Sequence, residues 1–264
     1  MIEIALLYDE LAEIANAKTY YEQALQLDSR NSRAYYGLGT IYDNEKKFDE
    51  ALAYYAEAIH YQPTYAEAHF FSANIYDDLG ETDLAIYHYQ LTIEYNPNYF
   101  FAYLNLGSIY ESLDQNDVAL ELFRKAESIK QDNHLLYFNF GVIFRKLGRI
   151  EESIMAYERS LEVSNIYPYT YLNLAIIYKD DLKNLEKAIE IYSEGIYNHP
   201  EVSVLYYNRA CAYALVGHSD NAIYDLEQAF KLSPDLYHYA ESDPELTSIR
   251  QTNLYKLLIN KNYA

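Results

Sequence analysis

A row of carboxamide side chains recurs at nearly constant spacing along the sequence. The carboxamides belong to Asn105, Asn139, Asn173 and Asn208, which are separated by 34, 34 and 35 residues. A carboxamide both donates and accepts hydrogen bonds, so a row of them can bind the backbone of an extended polypeptide without reading its side chains. Such a row either binds a peptide or packs adjacent helices, and neither role is bond-making chemistry.

The usual patterns of catalytic and metal-binding residues are missing from the sequence. It has no Gly-rich phosphate loop, HExxH motif, Cys-x-x-Cys pair or nucleophile elbow. The seven His show no metal-ligand spacing, and His69 is best interpreted as a core residue. Cys211 is the single Cys and falls in a run of Ala, which favours a small, inert buried residue. We therefore predict that the chain is not an enzyme and uses no cofactor or metal.

The balance of charge limits the classes of partner. The 264 residues include 40 Asp and Glu but only 20 Lys and Arg, which gives a formal net charge of −20. Phosphate backbones and anionic lipid headgroups would be repelled, so we expect neither nucleic acid nor a membrane surface as a partner. A single Cys, no basic leader and no apolar run of about 18 residues predict a cytoplasmic protein.

The elements that must position these asparagines follow from an internal repeat. Aromatic residues recur every 34 or 35 positions, at Tyr8, Tyr42, Tyr76, Tyr110, Phe144, Tyr178 and Tyr213. Small residues keep step with them, three positions earlier, at Ala5, Gly39, Ala73, Gly107, Gly141, Ala175 and Ala210. Small and large residues at helical spacing predict notches and knobs on one helix face. Few Gly and Pro favour tightly joined helices, for example 32–44 and 49–61, with Pro63 ending the second helix.

One complete unit carries the pattern of a known family. Tyr35-x2-Leu38-Gly39-x2-Tyr42, then Ala51-x3-Tyr55, then Pro63, resembles the tetratricopeptide repeat (TPR), with Tyr at the usual Trp position. The resemblance implies an all-α fold, a right-handed superhelix of antiparallel helix pairs. The predicted units are 1–31, 32–65, 66–99, 100–133, 134–167, 168–202 and 203–236.

Three segments depart from the regular unit. Unit one starts at its fourth position, which predicts either a shortened first helix or a sequence trimmed at this end. Unit six has one extra residue near 180–184, which we expect to widen the turn without disturbing the helices. The remaining segment, 237–264, is predicted to cap the last repeat. Its expected helix start is Ser242-Asp243-Pro244-Glu245, followed by an apolar face of Leu246, Ile249, Leu254, Leu257 and Leu258.

The resemblance also implies which positions line a concave groove, namely 2, 5, 6, 9, 12 and 13 of each unit. The four asparagines occupy position 6, where they either bind a ligand, as in the asparagine ladder of O-linked N-acetylglucosamine transferases, or pack adjacent helices. Asn74 occupies position 9. The aromatic residues expected to anchor a ligand in the groove are Tyr36, Phe70, Phe71, Phe101, Phe138, Tyr169 and Tyr207. The chaperone-binding carboxylate clamp of some TPR domains is not expected, because position 5 carries no Lys.

Charged residues fall at groove positions 12 and 13 and change sign along the chain. They are Asp43, Asp77, Asp78 and Glu111 in units two to four, then Arg145, Lys146 and Lys179 in units five and six. Either helix ends next to turns are simply polar, or one edge of the groove is acidic and then turns basic. An acidic edge would steer a basic or amphipathic segment to the N-terminal half.

The sequence thus predicts a non-catalytic scaffold or adaptor that holds a partner peptide or helix in its groove, as a monomer or weak homo-oligomer. Fold alone does not fix this function. The alternatives are a self-assembling structural TPR protein and a regulatory or targeting subunit of an enzyme encoded elsewhere.

Overall fold

The structure is a computed structural model that describes the backbone of residues 1–262 and the side chains of residues 1–259. The last two residues of the predicted capping segment, Tyr263 and Ala264, lie outside the described residues.

Within residues 1–262 the regular structure is entirely helical. The α-helices are α1 (Ile2–Glu10), α2 (Ile14–Leu27), α3 (Ser32–Asn44), α4 (Phe48–Tyr61), α5 (Ala66–Asp78), α6 (Thr82–Tyr95), α7 (Phe100–Ser112), α8 (Asn116–Ile129), α9 (His134–Lys146), α10 (Ile150–Val163), α11 (Pro168–Ile176), α12 (Leu185–Asn198), α13 (Ser203–Leu215), α14 (Ser219–Leu232), α15 (Leu236–Ser242), α16 (Thr247–Arg250) and α17 (Asn253–Asn262). A π-helical turn (Ile177–Asp181) continues α11, and a 3₁₀ turn (Pro244–Leu246) precedes α16. None of these helices is long and apolar enough to span a bilayer.

The chain divides into an N-terminal half, Met1–Gln131, and a C-terminal half, Asp132–Ala264. In the N-terminal half, α1 packs on α2, α3 on α4, α5 on α6 and α7 on α8, and each pair also contacts the next. In the C-terminal half the pairs are α9 with α10, α11 with α12 and α13 with α14, followed by α15–α17 against the last pair. Short turns make the two helices of each pair antiparallel, as the all-α prediction expects.

Close packing within a pair depends on small residues in the first helix. A Cβ built on Gly107 of α7 would lie 2.5 Å from Cε1 of Phe123 in α8, and Gly39 and Gly141 meet Tyr55 and Tyr157 at the same distance. Each ring fills the notch that the missing side chain leaves, and the predicted notches and knobs are confirmed. The rings are fully or almost fully buried, so they form the core between the two helices.

The turn inside each pair places one residue in the left-handed region of backbone space. The residues concerned are Ala12, Lys46, Gly80, Asp114, Gly148, Lys183 and Gly217, with φ between 54° and 83°. A side chain is disfavoured there by its Cβ, so the four non-Gly turns are strained relative to the three that use Gly.

The extra residue of the sixth unit is accommodated differently from the prediction. It does not simply widen the turn, because the end of the first helix opens into the π-helical turn Ile177–Asp181. A π turn absorbs one additional residue inside a helix and changes the direction of the side chains on it. Lys179 lies within this turn and is buried.

The C-terminal segment covers the last repeat, with two corrections to the predicted details. The residue that caps the 3₁₀ turn is Asp243, whose Oδ1 accepts a hydrogen bond from the backbone N–H of Glu245 at 2.9 Å, rather than Ser242. The side chains that enter the core of α13 and α14 are Leu246, Ile249, Tyr255 and Leu258. Leu254 and Leu257 were predicted on the same face but are 45% and 63% exposed.

Candidate functional site

The asparagines of the N-terminal half meet at a buried tyrosine. Tyr89 of α6 donates its hydroxyl hydrogen to Oδ1 of Asn74 in α5 at 2.6 Å. Nδ2 of Asn105 in α7 donates to the same Oδ1 and to the Tyr89 hydroxyl oxygen, at 3.2 Å each. Burial raises the pKa of Tyr89, so its hydroxyl remains a donor at any physiological pH.

This network joins neighbouring helices and leaves hydrogen-bonding capacity unused. No hydrogen bond among the described residues uses Oδ1 of Asn105 or Nδ2 of Asn74, and both side chains are partly exposed. These hydrogen bonds therefore agree with the helix-packing role that the sequence left open for the asparagines. It also retains one acceptor and one donor with fixed positions.

In the C-terminal half the ladder is less regular. Nδ2 of Asn173 in α11 donates to the hydroxyl oxygen of Tyr157 in α10 at 3.2 Å, which repeats the Asn105–Tyr89 contact. Asn208 instead turns back onto its own helix and donates to the carbonyl oxygen of Val204 at 2.8 Å. Asn139 of α9 is partly buried. The four carboxamides are therefore not equivalent, although their sequence positions are.

Asn173 also lines a concavity. A pocket of about 380 Å³ is lined by Val142, Arg145, Lys146, Tyr157 and Asn173. It combines the carboxamide with two cationic side chains and an aromatic ring. Such a surface suits a polar or negatively charged segment with an apolar contact.

Aromatic residues predicted for the groove cluster in the N-terminal half. The Tyr36 ring centroid lies 5.0 Å from that of Tyr65 and 5.9 Å from that of Phe71. Phe71 in turn lies 6.2 Å from Tyr55. Burial raises the pKa of Tyr65 to about 12 and that of Tyr36 further, so both hydroxyls stay neutral. Tyr36 and Phe71 are partly exposed, so the cluster has an accessible side.

Phe70 corrects the prediction of an exposed anchor. Its side chain is only 8% exposed and packs against Tyr99 and Tyr89, with ring centroids 4.6 and 5.8 Å apart. The ring points into the contact between successive pairs, where it belongs to the core.

The other predicted anchors differ in exposure. Phe101 and Tyr169 are 47% and 46% exposed. Phe138 is partly buried and meets Tyr167 edge-on, with ring centroids 4.9 Å apart. Exposed rings of this size are common anchors of interfaces, because burial by a partner removes much apolar surface from water.

Two of the four acidic side chains predicted at the groove edge of the N-terminal half are exposed, and two are partly buried. Asp77 and Asp78 are exposed, whereas Asp43 and Glu111 are partly buried. Burial raises the pKa of Asp43 and of Asp77, and the neighbouring Asp78 charge raises that of Asp77 as well. The Tyr55 hydroxyl opposes this at Asp43, to which it donates at 3.5 Å.

The predicted basic edge is largely neutralised. Nε of Arg145 contacts Oδ2 of Asp181 at 2.9 Å, with both side chains about one-third exposed. Lys146 is exposed. Lys179 was predicted to add positive charge to the groove, and this is wrong. Its side chain is 7% exposed, and Nζ donates to both carboxylate oxygens of Glu245, at 2.5 and 2.7 Å.

Two polar contacts were not predicted from the sequence. Nε and Nη2 of Arg209 donate to the two carboxylate oxygens of Asp225 at 2.7 and 2.8 Å, and Nη1 donates to Oγ of Ser193 at 2.8 Å. Asp225 is 1% exposed. The sequence does contain an indication of this ion pair. Arg209 and Asp225 occupy positions 7 and 23 of their unit, where other units carry apolar residues such as Leu106 and Leu122.

The second unpredicted contact is a pair of histidines. His69 is 3% exposed, as its predicted core role requires. Its Nε2 lies 3.0 Å from the carbonyl oxygen of Pro63, and its Nδ1 lies 3.0 Å from Nδ1 of His88. A carbonyl only accepts, so Nε2 carries the hydrogen of a neutral His69, and His88 then donates to His69 Nδ1. The equivalent positions of the second unit hold Tyr35 and Tyr54, whose rings also meet.

Among the residues that the structure describes, the group of side chains that comes nearest to a metal site is Cys211, Asp243 and Glu245. One ligand atom from each lies within 4.8 Å of the others. The ammonium of Lys179 already neutralises Glu245 there, and burial together with the two carboxylates raises the pKa of the Cys211 thiol. A neutral thiol beside an ion pair is a poor metal ligand.

Repeats matched by the tetratricopeptide repeat family cover almost the whole chain. The matched segments are 1–31, 32–65, 66–99, 102–133, 135–167, 168–201 and 204–236. The chain belongs to the tetratricopeptide repeat family. No curated protein is similar enough in sequence to match it.

Solved TPR structures share the fold at low sequence identity. A tetratricopeptide repeat protein from Parabacteroides merdae is 19% identical with a TM-score of 0.67, and the match covers 98% of this chain and 97% of that one. A chain of the APC/C hetero-tetramer Cut9–Hcn1 is 18% identical with a TM-score of 0.66, over 93% of this TPR chain but only 45% of the other. YrrB, described as a TPR protein with an unusual peptide-binding site, is 20% identical with a TM-score of 0.54, over 72% and 98%.

Proposed function

We propose that this TPR chain is a non-catalytic adaptor that binds an extended segment of a partner protein along the predicted groove positions. The observation that carries the proposal is the Asn74–Asn105–Tyr89 network. It fixes two carboxamides on the first helices of successive pairs, α5 and α7, and leaves one acceptor and one donor unused. A peptide backbone presents the complementary donor and acceptor at every residue.

Preorganisation explains why such a network favours binding. A flexible asparagine loses rotamer freedom when it binds a ligand, which costs about 0.5–1.5 kcal/mol for an immobilised side chain. Hydrogen bonds to Tyr89 and Tyr157 already restrict Asn105 and Asn173 in the unbound chain. Part of this loss of side-chain entropy therefore occurs on folding rather than on binding.

The distribution of charge supports a partner of mixed character. Asp77 and Asp78 are exposed in the N-terminal half, and the pocket near Asn173 carries Arg145 and Lys146. We propose that a basic or amphipathic stretch of the partner lies over the acidic residues. Nucleic acid and membrane are not part of the proposal, because the net charge of −20 opposes both. The proposed location is the cytoplasm, which subcellular fractionation can test.

The proposal is tested by comparing the wild-type chain with a variant in which Asn105, Asn139, Asn173 and Asn208 are all changed to Ala. Both are used as baits in source lysate, and captured proteins are quantified by mass spectrometry. We expect a partner that wild type retains and the variant loses, with far-UV circular dichroism unchanged. Recovery of the same partner in equal amount by both baits would remove the ladder from the binding site.

A matched control separates loss of the site from a general loss of asparagine. Asn16 and Asn221 are exposed on α2 and α14 and lie outside the predicted groove positions. The Asn16→Ala/Asn221→Ala variant should capture the partner as wild type does. Loss of the partner by this control would show that the assay reports stability rather than recognition.

Self-assembly is a second candidate, favoured by one exposed surface. Ile4 and Leu7 of α1 are 42% and 54% exposed, whereas Leu38 and Ile41, the equivalent residues of α3, are each 1% exposed. A helix of another copy could bury the first pair as α2 buries the second. Light scattering from micromolar to high micromolar concentration tests this. Growth that Ile4→Glu/Leu7→Glu abolishes would favour assembly, and a constant monomer mass would exclude it.

A further inference from the structure

The C-terminal segment places two carboxylates onto predicted groove residues. Glu245 binds Nζ of Lys179, and Oδ2 of Asp243 accepts a hydrogen bond from the Tyr207 hydroxyl at 2.8 Å. Lys179 and Tyr207 occupy positions 12 and 5 of successive units, and the resemblance assigned both to the groove. The chain itself therefore covers these two groups.

The buried lysine belongs to the π-helical turn. Lys179 lies in the middle of Ile177–Asp181, which absorbs the extra residue of the sixth unit. Its ammonium also approaches Oδ1 of Asp180 at 3.4 Å. A cation this well buried needs a paired anion, since an unpaired charge at 7% exposure would be very costly.

We propose that Lys179 and Tyr207 form a binding site for an acidic segment with two carboxylates two residues apart, and that Asp243 and Glu245 fill it in the resting chain. A partner segment of the Asp-x-Glu type would displace the internal one. The inference rests on the proposed function, because it assigns a ligand class and an autoinhibitory contact to the same predicted groove.

The internal segment is held by two separable kinds of contact. Leu246 and Ile249 are fully buried against the last repeat, whereas Glu245 remains 31% exposed and Asp243 is partly exposed. Replacing the two carboxylates by amides therefore removes their negative charge and weakens the polar contacts, while the apolar residues still cover the core. This weakens the hold of the internal segment on the site without deleting the cap.

The test uses the full chain and a fluorescent synthetic peptide with the sequence of residues 239–250. The host is Asp243→Asn/Glu245→Gln, and binding is followed by fluorescence polarisation. We expect the host to bind the peptide at least about tenfold more tightly than wild type does, because the internal segment of the host has lost its charged hydrogen bonds and competes less well. A peptide with Asn and Gln in place of the two acids should bind neither protein.

Adding Lys179→Met to the host should abolish the gain, whereas Lys179→Arg should retain most of it. Equal binding of the acidic and neutral peptides by the host, or a gain that survives Lys179→Met, would overturn the proposal. Binding of the acidic peptide by the host no tighter than by wild type would overturn it as well.

A second measurement does not depend on the peptide or on the double variant. Cys211 is the only Cys, is 1% exposed and lies 3.7 Å from Oδ2 of Asp243, so its reaction with a thiol reagent reports opening of the segment. Glu245→Gln should raise the labelling rate about tenfold. Glu190→Gln breaks an exposed ion pair with Lys187 and should leave the rate at the wild-type value. Equal rates in the two variants would refute the autoinhibitory contact.

The outcomes separate this inference from the proposed function. A partner lost by the four-asparagine variant, together with no effect of Lys179 or Glu245 on peptide binding or labelling, would leave the adaptor function intact and remove only the acidic site. The reverse result would keep the acidic site and remove the ladder.

Discussion

Replacing Asp225 by Leu should destabilise the C-terminal half by about 3–5 kcal/mol, because it leaves a buried arginine without its anion. The Arg209 side chain is 15% exposed and forms two parallel bonds to Asp225, at 2.7 and 2.8 Å. The remaining bond to Ser193 is to a neutral hydroxyl and cannot compensate the charge. Arg209→Leu should cost a similar amount, since Asp225 is then an unpaired carboxyl at 1% exposure.

The double variant Arg209→Leu/Asp225→Leu should recover most of the loss and fall within about 1–2 kcal/mol of wild type. It restores the apolar residues that the fourth unit has at these positions, Leu106 and Leu122. The assay is urea unfolding at pH 7 followed by far-UV circular dichroism. Hydrogen exchange of the α13 amides should accompany it, since repeat proteins can unfold in parts.

Breaking a surface ion pair is the matched control for this cycle. Lys187→Ala removes the exposed pair with Glu190 and should change stability by no more than about 0.5 kcal/mol. A double variant whose loss of stability equals the sum of the two single losses would show that Arg209 and Asp225 are not coupled. Single variants no worse than Lys187→Ala would refute the reasoning from burial.

Three further perturbations test other parts of the structure. Burial lowers the pKa of His88 to about 4, so on acidification the unfolded chain binds a proton at His88 before the folded chain does. The free energy of unfolding should therefore fall between pH 6.5 and 4, by about 2 kcal/mol at pH 5. Urea midpoints should show that His88→Tyr lacks this part of the loss, and an unchanged pH slope would contradict the assignment. Lys46→Gly should raise the free energy of unfolding by about 1 kcal/mol, because it removes the backbone strain at φ 60°. Lys47→Gly is the control, since Lys47 has φ −91° and no such strain. Equal effects of the two substitutions would count against backbone strain. Gly107→Leu should lower the melting temperature, because the added side chain overpacks against Phe123 and lowers the free energy of unfolding by about 1–3 kcal/mol or more. A melting temperature equal to that of wild type would mean that Phe123 does not fill the notch as described.

The repeat period predicted the fold because it is carried by residues with strict steric roles. Gly107 and Phe123 define a contact that tolerates little else, and such pairs recur at constant spacing in the sequence. Helix bounds followed closely, with α3 as predicted and α4 starting one residue earlier at Phe48. Periodicity could not show how one extra residue is absorbed, because a wider turn and a π-helical turn have the same length in sequence.

The candidate site was less predictable, because the side chains that complete it come from outside the repeat or from interior positions. Lys179 has a surface position in the repeat, but its partner Glu245 lies 66 residues later in a segment with no repeat register. Phe70 has a groove position, but Tyr99 of the next pair covers it. Position in a repeat specifies the direction of a side chain from its own helix and not what the following segment places over it.

The tyrosines that fill the notches connect the fold to the candidate site. Tyr89 is fully buried between α5 and α6, and its hydroxyl reaches the partly exposed edge where it binds Asn74 and Asn105. Tyr157 does the same for Asn173. Phe123 fills the equivalent notch in the fourth unit but has no hydroxyl, so it cannot hold a carboxamide in this way. A ring that is required for packing thus also sets the position of a carboxamide. Under the proposed function, the carboxamides held by tyrosine are the ones expected to contribute most to recognition.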